Sequence, residues 1–207
     1  MEILNKNFFI TLVFFGTTFC VFSQSEISLR EAFKKSYDAE YQLKYQKAID
    51  ELTEVYDASS YELNLRLGWL NYKNNRWTES VTYYKKAIAK MPMSIEAKLG
   101  IVNALAGLDK WDEIIAMYRS ILKIDPYHAI ANYRLALIYY NRSDFGNSWN
   151  YLKNYINVYP FDFDGNSLAG WIKYSVGKKE EAIVFFRKAL LVNPYDTSFN
   201  KVIGTNK

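Results

Sequence analysis

Residues able to do covalent or metal chemistry are few in this 207-residue chain. Its one cysteine, Cys20, lies in an apolar N-terminal stretch, and its one histidine, His128, follows a Pro-Tyr turn. A single histidine builds no multi-His metal site. A lone cysteine in a segment expected to be removed leaves no disulfide, thiolate site or cysteine nucleophile in the remainder. For His128 the expectation is a structural or solvent-exposed role. Glu180 and Glu181 open an apolar-periodic stretch, where carboxylates favour a helix N-terminus and need no catalytic explanation. There is no glycine-rich phosphate loop, nucleophile elbow or paired-histidine motif. The expectation is therefore no enzyme, no cofactor and no metal. The basic pairs Lys85-Lys86, Lys178-Lys179 and Arg187-Lys188 sit beside apolar residues at helical spacing. With a net charge of +4 they read as solvated outer faces, not as a nucleic-acid footprint. What remains is aromatic: 18 Tyr, 13 Phe and 5 Trp. Tyr and Trp join large apolar area to one polar handle, which is the chemistry of non-covalent recognition.

Positioning such side chains requires regular elements, and the chain is periodic. Pro92, Pro126, Pro160 and Pro194, its only prolines, are spaced 34 residues apart. Ahead of them recur LGWLNY from Leu67, IVNALA from Ile101, LALIYY from Leu135 and AGWIKY from Ala169, and then SVTYYKKAI, IIAMYRSIL, SWNYLKNYI and AIVFFRKAL. Within each unit apolar residues fall at i, i+3, i+4 and i+7, the spacing of an amphipathic helix. Leu135, Ala136 and Tyr139 make one such stripe; Ala182, Ile183, Phe186 and Ala189 make another. Turn residues separate two helices per unit: Asn74-Asn75, Asp109, Ser143-Asp144 and Gly177. Trp77, Trp111 and Phe145 start second helices. Each proline disfavours helix just before it and is expected to open the next helix.

This pattern resembles the tetratricopeptide repeat, a 34-residue helix–turn–helix with a W-x2-L-G-x2-Y, A-x3-F and Pro motif. The unit 61–94 supplies Leu67-Gly68, Ser80, Tyr84, Ala87 and Pro92; the unit 163–196 supplies Ala169-Gly170, Ala182, Phe186, Ala189 and Pro194. Units 95–128 and 129–162 lie between them. The resemblance implies an all-α, right-handed superhelical solenoid of helix–turn–helix hairpins, about five repeats long. Small residues at Gly68, Ala136 and Gly170 are expected to let paired helices approach. Val102, Ile114 and Ile121 in the third unit and Tyr155 in the fourth depart from the small-residue pattern, so geometry there is expected to shift.

Both ends diverge. Residues 24–60 form a first repeat or cap in which Tyr45 and Ala48 match the second-helix pattern two residues late, and the proline is missing. After Pro194, residues 197–207 read as a sixth first helix that stops early, which leaves the last hairpin, with Phe185, Phe186 and Leu190, only partly covered. At the start, Lys6, the apolar run Phe8–Phe22, and Val21 and Ser23 before a cleavage point read as a signal peptide, residues 1–23. Composition and the VFSQ region resemble those of exported bacterial proteins. The chain is thus expected in the periplasm, at the outer membrane or secreted.

In the family, first helices line the concave face. The resemblance therefore assigns Leu65, Trp69 and Tyr72, Asn103, Tyr133, Leu137 and Tyr140, and Trp171 and Tyr174 to a partner-binding groove, flanked by Glu62 and Glu96, with Phe33 and Tyr37 extending the row. The Lys/Asn/Arg clamp by which chaperone-binding members hold a terminal carboxylate is absent: Leu65 and Trp69 stand at early positions, and Asn103 and Arg134 do not complete it. The expected partner is another polypeptide, presenting an extended or helical apolar segment. Self-association through the C-terminal hairpin and glycan binding on stacked aromatics are the alternatives.

Overall fold

In the computed structural model, which describes residues 26 and 28–204, the period of the sequence reappears in the backbone. Eleven helices follow one another among the described residues: α1 (28–41), α2 (Tyr45–Thr53), α3 (Tyr61–Lys73), α4 (Trp77–Lys90), α5 (Ile95–Gly107), α6 (Trp111–Leu122), α7 (Ala129–Asn141), α8 (Phe145–Val158), α9 (Phe163–Ser175), α10 (Lys179–Val192) and α11 (Asn200–Ile203). The signal-peptide assignment and Cys20 fall outside the described residues.

Two local devices set this order. Within each hairpin the turn holds one residue in the left-handed region: Leu43, Asn75, Asp109, Ser143 and Gly177, at φ of 58°, 57°, 54°, 57° and 78°. Asn, Asp and Gly tolerate that conformation; Leu and Ser pay for it. Between hairpins, the first helices start on side-chain caps spaced 34 residues apart. Ser60 Oγ, Ser94 Oγ, His128 Nδ1 and Asp162 Oδ2 accept from the backbone N–H groups of Leu63, Ala97, Ala131 and Gly165, at 3.1, 3.1, 3.3 and 2.6 Å. His128 thus has a structural role, as the cap of α7. The prolines do not open helices as expected. Pro92, Pro126 and Pro160 lie in the preceding turns, and each helix begins after the cap.

The proline carbonyls have a further use. Where the motif carries Trp, this chain has Asn64, Lys98, Asn132 and Asn166, all buried. Asn132 and Asn166 donate to the carbonyls of Pro126 and Pro160 at 2.9 and 3.1 Å, Lys98 donates to that of Pro92, and Asn64 to that of Ala58 at 3.1 Å. Each staple ties a first helix to the turn that feeds it, and satisfies a donor and an acceptor that burial would otherwise leave costly.

The helices form two compact units that divide between Asp109 and Lys110. The division falls in the third repeat, 95–128, whose small-residue positions hold Val102, Ile114 and Ile121, each buried. In the first unit α1 to α3 enclose Ala32, Ala48, Ile49, Leu52, Leu63, Leu67 and Leu70. Here the two-residue slip of the first repeat has its cause. The turn at Leu43 stands 32 residues before that at Asn75, because α2 has 9 residues where α4 has 14. Gly68 lies under the Tyr84 ring, whose atoms would stand 2.9 Å from an added Cβ, and buried Ser80 Oγ donates to the Gly68 carbonyl at 2.7 Å.

In the second unit the same bond joins Ser148 Oγ to the Ala136 carbonyl at 2.7 Å. Tyr155, too large for its position in the motif, turns toward α9, where Gly165 leaves room for its ring. Burial and the carboxylate of Asp162 push its phenol up to about 12. The C-terminal end corrects an expectation. The last hairpin is covered: Phe199 stacks on Phe186 at 4.5 Å and an interplanar angle of 16°, and Phe199, Val202, Ala182, Phe186 and Ala189 form one buried cluster. The short α11 is therefore a lid over α9 and α10. Phe199, Val202 and Ile203 carry the i, i+3, i+4 spacing that announces it.

Candidate functional site

The first unit contains a cleft of about 580 Å³ on the side of its first helices. Its walls are Phe33 and Tyr37 from α1, Tyr61, Glu62, Leu65, Arg66 and Trp69 from α3, Tyr84 from α4, and Glu96 and Gly100 from α5. Once the first repeat is set in its own register, Phe33, Tyr37 and Glu40 occupy the places that Leu65, Trp69 and Tyr72 occupy in the second. The groove row therefore does extend into the first repeat.

The cleft is braced from beneath. Glu40 accepts the Trp69 indole N–H at 2.5 Å and pairs with the Arg66 guanidinium at 2.5 Å. Arg66 is buried, and its guanidinium lies 3.9 Å from the centre of the Tyr37 ring, so one face of Tyr37 is taken and the rest of the side chain stays open. Trp69 packs on Tyr72 at 5.9 Å, and Lys73 approaches its ring at 5.4 Å. Charge pairing, stacking and one N–H bond thus hold Trp69 in a set orientation while 36% of it stays exposed. Tyr61 shares a 2.7 Å hydrogen bond with Ser94 and reaches Glu96 at 3.4 Å. Burial raises its phenol above the usual range, with Glu96 and Glu62 adding to the shift.

The expected groove residues do not share one environment. Leu65 and Trp69 line the cleft just described. Tyr72 and Asn103 line a second, shallower hollow of about 440 Å³ in the same unit, with Tyr45, Lys73 and Trp77. In the second unit the row is largely used for packing. Tyr133 lies against Tyr155 at 5.1 Å, and Leu137 and Tyr140 pack on the cluster of Ala136, Leu152, Leu168, Ala169 and Ile172. Trp171 meets Phe186 edge-on at 4.9 Å and Phe199 at 6.0 Å, which places it in the core under the lid. Tyr174 stands 45% exposed beside it.

Sequence reasoning missed Tyr61, Arg66, Tyr84 and Gly100 in the walls, and Glu40 behind them. Glu40 was hidden by the register slip. Arg66 stands one residue before Leu67, at a position that reads as solvent-facing unless a partner for its charge is known.

Comparison with known proteins agrees with this architecture. Tetratricopeptide-repeat models match residues 33–93 and 165–196, one in each unit. A crystal structure of MamA superimposes with a TM-score of 0.69 at 20% identity, over 77% of this chain and 94% of that one. A second MamA structure gives 0.71 at 19% identity, over 83% and 97%. A tetratricopeptide repeat protein from Parabacteroides merdae gives 0.73 at 17% identity, over 85% and 71%. No curated protein matches the sequence. Matched repeat models in both units, the 34-residue recurrence of turns, caps and staples, and the shared fold together show that this chain is a tetratricopeptide-repeat protein.

Proposed function

We propose that this chain is a non-catalytic scaffold of the cell envelope that binds a segment of a partner polypeptide in the cleft of its first unit. The fold supports protein interaction in general, and fold alone says nothing about where. The observation that carries the choice is the cleft itself. It is concave and mostly aromatic, and it presents an oriented indole at Trp69. Aromatic anchors held in place before binding lose little entropy on binding. The envelope location rests on the Lys6 and Phe8–Phe22 pattern and would be checked by fractionating cells.

The test is affinity capture from the cell envelope, read by mass spectrometry, with the native chain, Trp69→Ala and Trp171→Ala. The reading expects a polypeptide whose recovery is lost with Trp69→Ala and kept by any Trp171→Ala protein that remains folded. Equal recovery on all three baits would refute it.

Self-association is the second reading, and its surface is different from the one first expected. Phe186 is covered, but Val184 and Leu191 on α10 and Tyr195 beyond it are 54%, 71% and 92% exposed. Light scattering of the native chain and of Leu191→Glu separates the two readings. A monomer in both cases removes self-association.

A further inference from the structure

We propose that the cleft of the first unit reads a cationic side chain, Lys or Arg, on the bound polypeptide, with its head group against Glu62 and Glu96 and its aliphatic stem against Tyr37 and Trp69. This inference rests on the groove-binding reading and deepens it. Glu62 and Glu96 occupy the second residue of α3 and of α5, one repeat apart, and both are exposed walls of the cleft. Neither meets a cation among the described residues: Ser60 Oγ donates to Glu62 at 2.9 Å, and the Tyr61 hydroxyl donates to Glu96 at 3.4 Å.

The basic residue of the wall, Arg66, cannot neutralise them, because its charge is taken by Glu40 at 2.5 Å. The cleft therefore carries two uncompensated negative charges in a chain whose net charge is +4. The raised phenol of Tyr61 has the sign expected of such a negative field, beyond the effect of burial. A carboxylate ligand would meet repulsion here. A lysine or arginine would meet opposite charge at the rim and apolar ring surface below it, the division its amphipathic side chain requires.

A second observation points to a ligand. Arg66 is 8% exposed and lines the cleft, yet its Nε has no hydrogen-bond partner among the described residues. The half-exposed Tyr37 ring is what covers it. A main-chain carbonyl of the bound segment supplies the missing acceptor when that ring swings aside. The ligand is then a polypeptide presenting a basic side chain, not a free amine.

The experiment uses the full chain and three fluorescent peptides, Ac-Gly-Phe-X-Phe-Gly-NH2, in which X is Lys, Gln or Glu. Fluorescence anisotropy is expected to rank them Lys, then Gln, then Glu, with Lys about tenfold tighter than Gln. Exposed carboxylates are screened by salt, so that preference should shrink as NaCl rises from about 0.05 to about 0.5 M. In the double variant Glu62→Gln, Glu96→Gln the Lys-to-Gln ratio should fall toward one while helical circular dichroism is retained. Equal binding of the Lys and Gln peptides, or a preference that survives in the double variant, overturns the proposal. If the Gln peptide binds without a Lys preference and Trp69→Ala abolishes that binding, the cation reading fails and the groove reading stands. If none of the three binds, both fail.

Discussion

Leu43 and Ser143 hold the same left-handed turn that Asn75, Asp109 and Gly177 hold at less cost. Leu43 is also 71% exposed, so its side chain contributes little burial. Leu43→Gly is expected to stabilise the chain by about 0.5–1 kcal/mol, the relief of the left-handed strain less the entropy glycine loses on folding. A thermal unfolding midpoint that fell would contradict this. The buried asparagines behave oppositely. Asn132→Ala or Asn166→Ala leaves a proline carbonyl without its donor, and each should cost about 1–3 kcal/mol by denaturant unfolding. A cost near zero would show that the staples are incidental. These positions also mark the limit of what the sequence discloses. The caps at Ser60, Ser94, His128 and Asp162 keep the same 34-residue interval as the prolines and are visible once sought. The asparagines stand where the motif has Trp and read as surface, because nothing local announces that a carbonyl six residues earlier will be buried with them.

At the scale of the element, helix positions and turns were legible because period 3.6 and period 34 agree. The ends were not legible, because each breaks one of the two periods. A short α2 shifted the first repeat by two residues and hid Tyr37 and Glu40 from the groove row. The stub after Pro194 reads as an unfinished helix, yet Phe199 is 2% exposed and stacks on Phe186. Truncating a buried phenylalanine to alanine costs about 3–5 kcal/mol in a core. Phe199→Ala is therefore expected to release α11, speed amide exchange in α10 and shift the emission of Trp171 to the red. Unchanged exchange would show that the lid does not support the hairpin. Gly170→Ala should destabilise by about 1–3 kcal/mol through overpacking, since the added Cβ would stand 2.3 Å from the Phe186 ring.

At the scale of the molecule, the two units divide the work. The second spends its aromatics on packing: Tyr133 on Tyr155, and Trp171 under Phe199. The first keeps Trp69 in a cleft and orients it through Glu40. From sequence alone, Trp69 and Trp171 are equivalent, each at the same place in a repeat. What separates them is whether a neighbouring element covers the ring, and that depends on the lid at one end and the slipped repeat at the other. Site-specific photo-crosslinking in living cells tests most directly whether the cleft holds a partner. A benzophenone side chain is placed at Leu65 in the cleft wall, or at the exposed Arg187 of α10 as a control. The prediction is a crosslink from position 65, and not from 187, to a polypeptide other than a second copy of this chain. A crosslink from 187 alone, or only to a second copy, would contradict it.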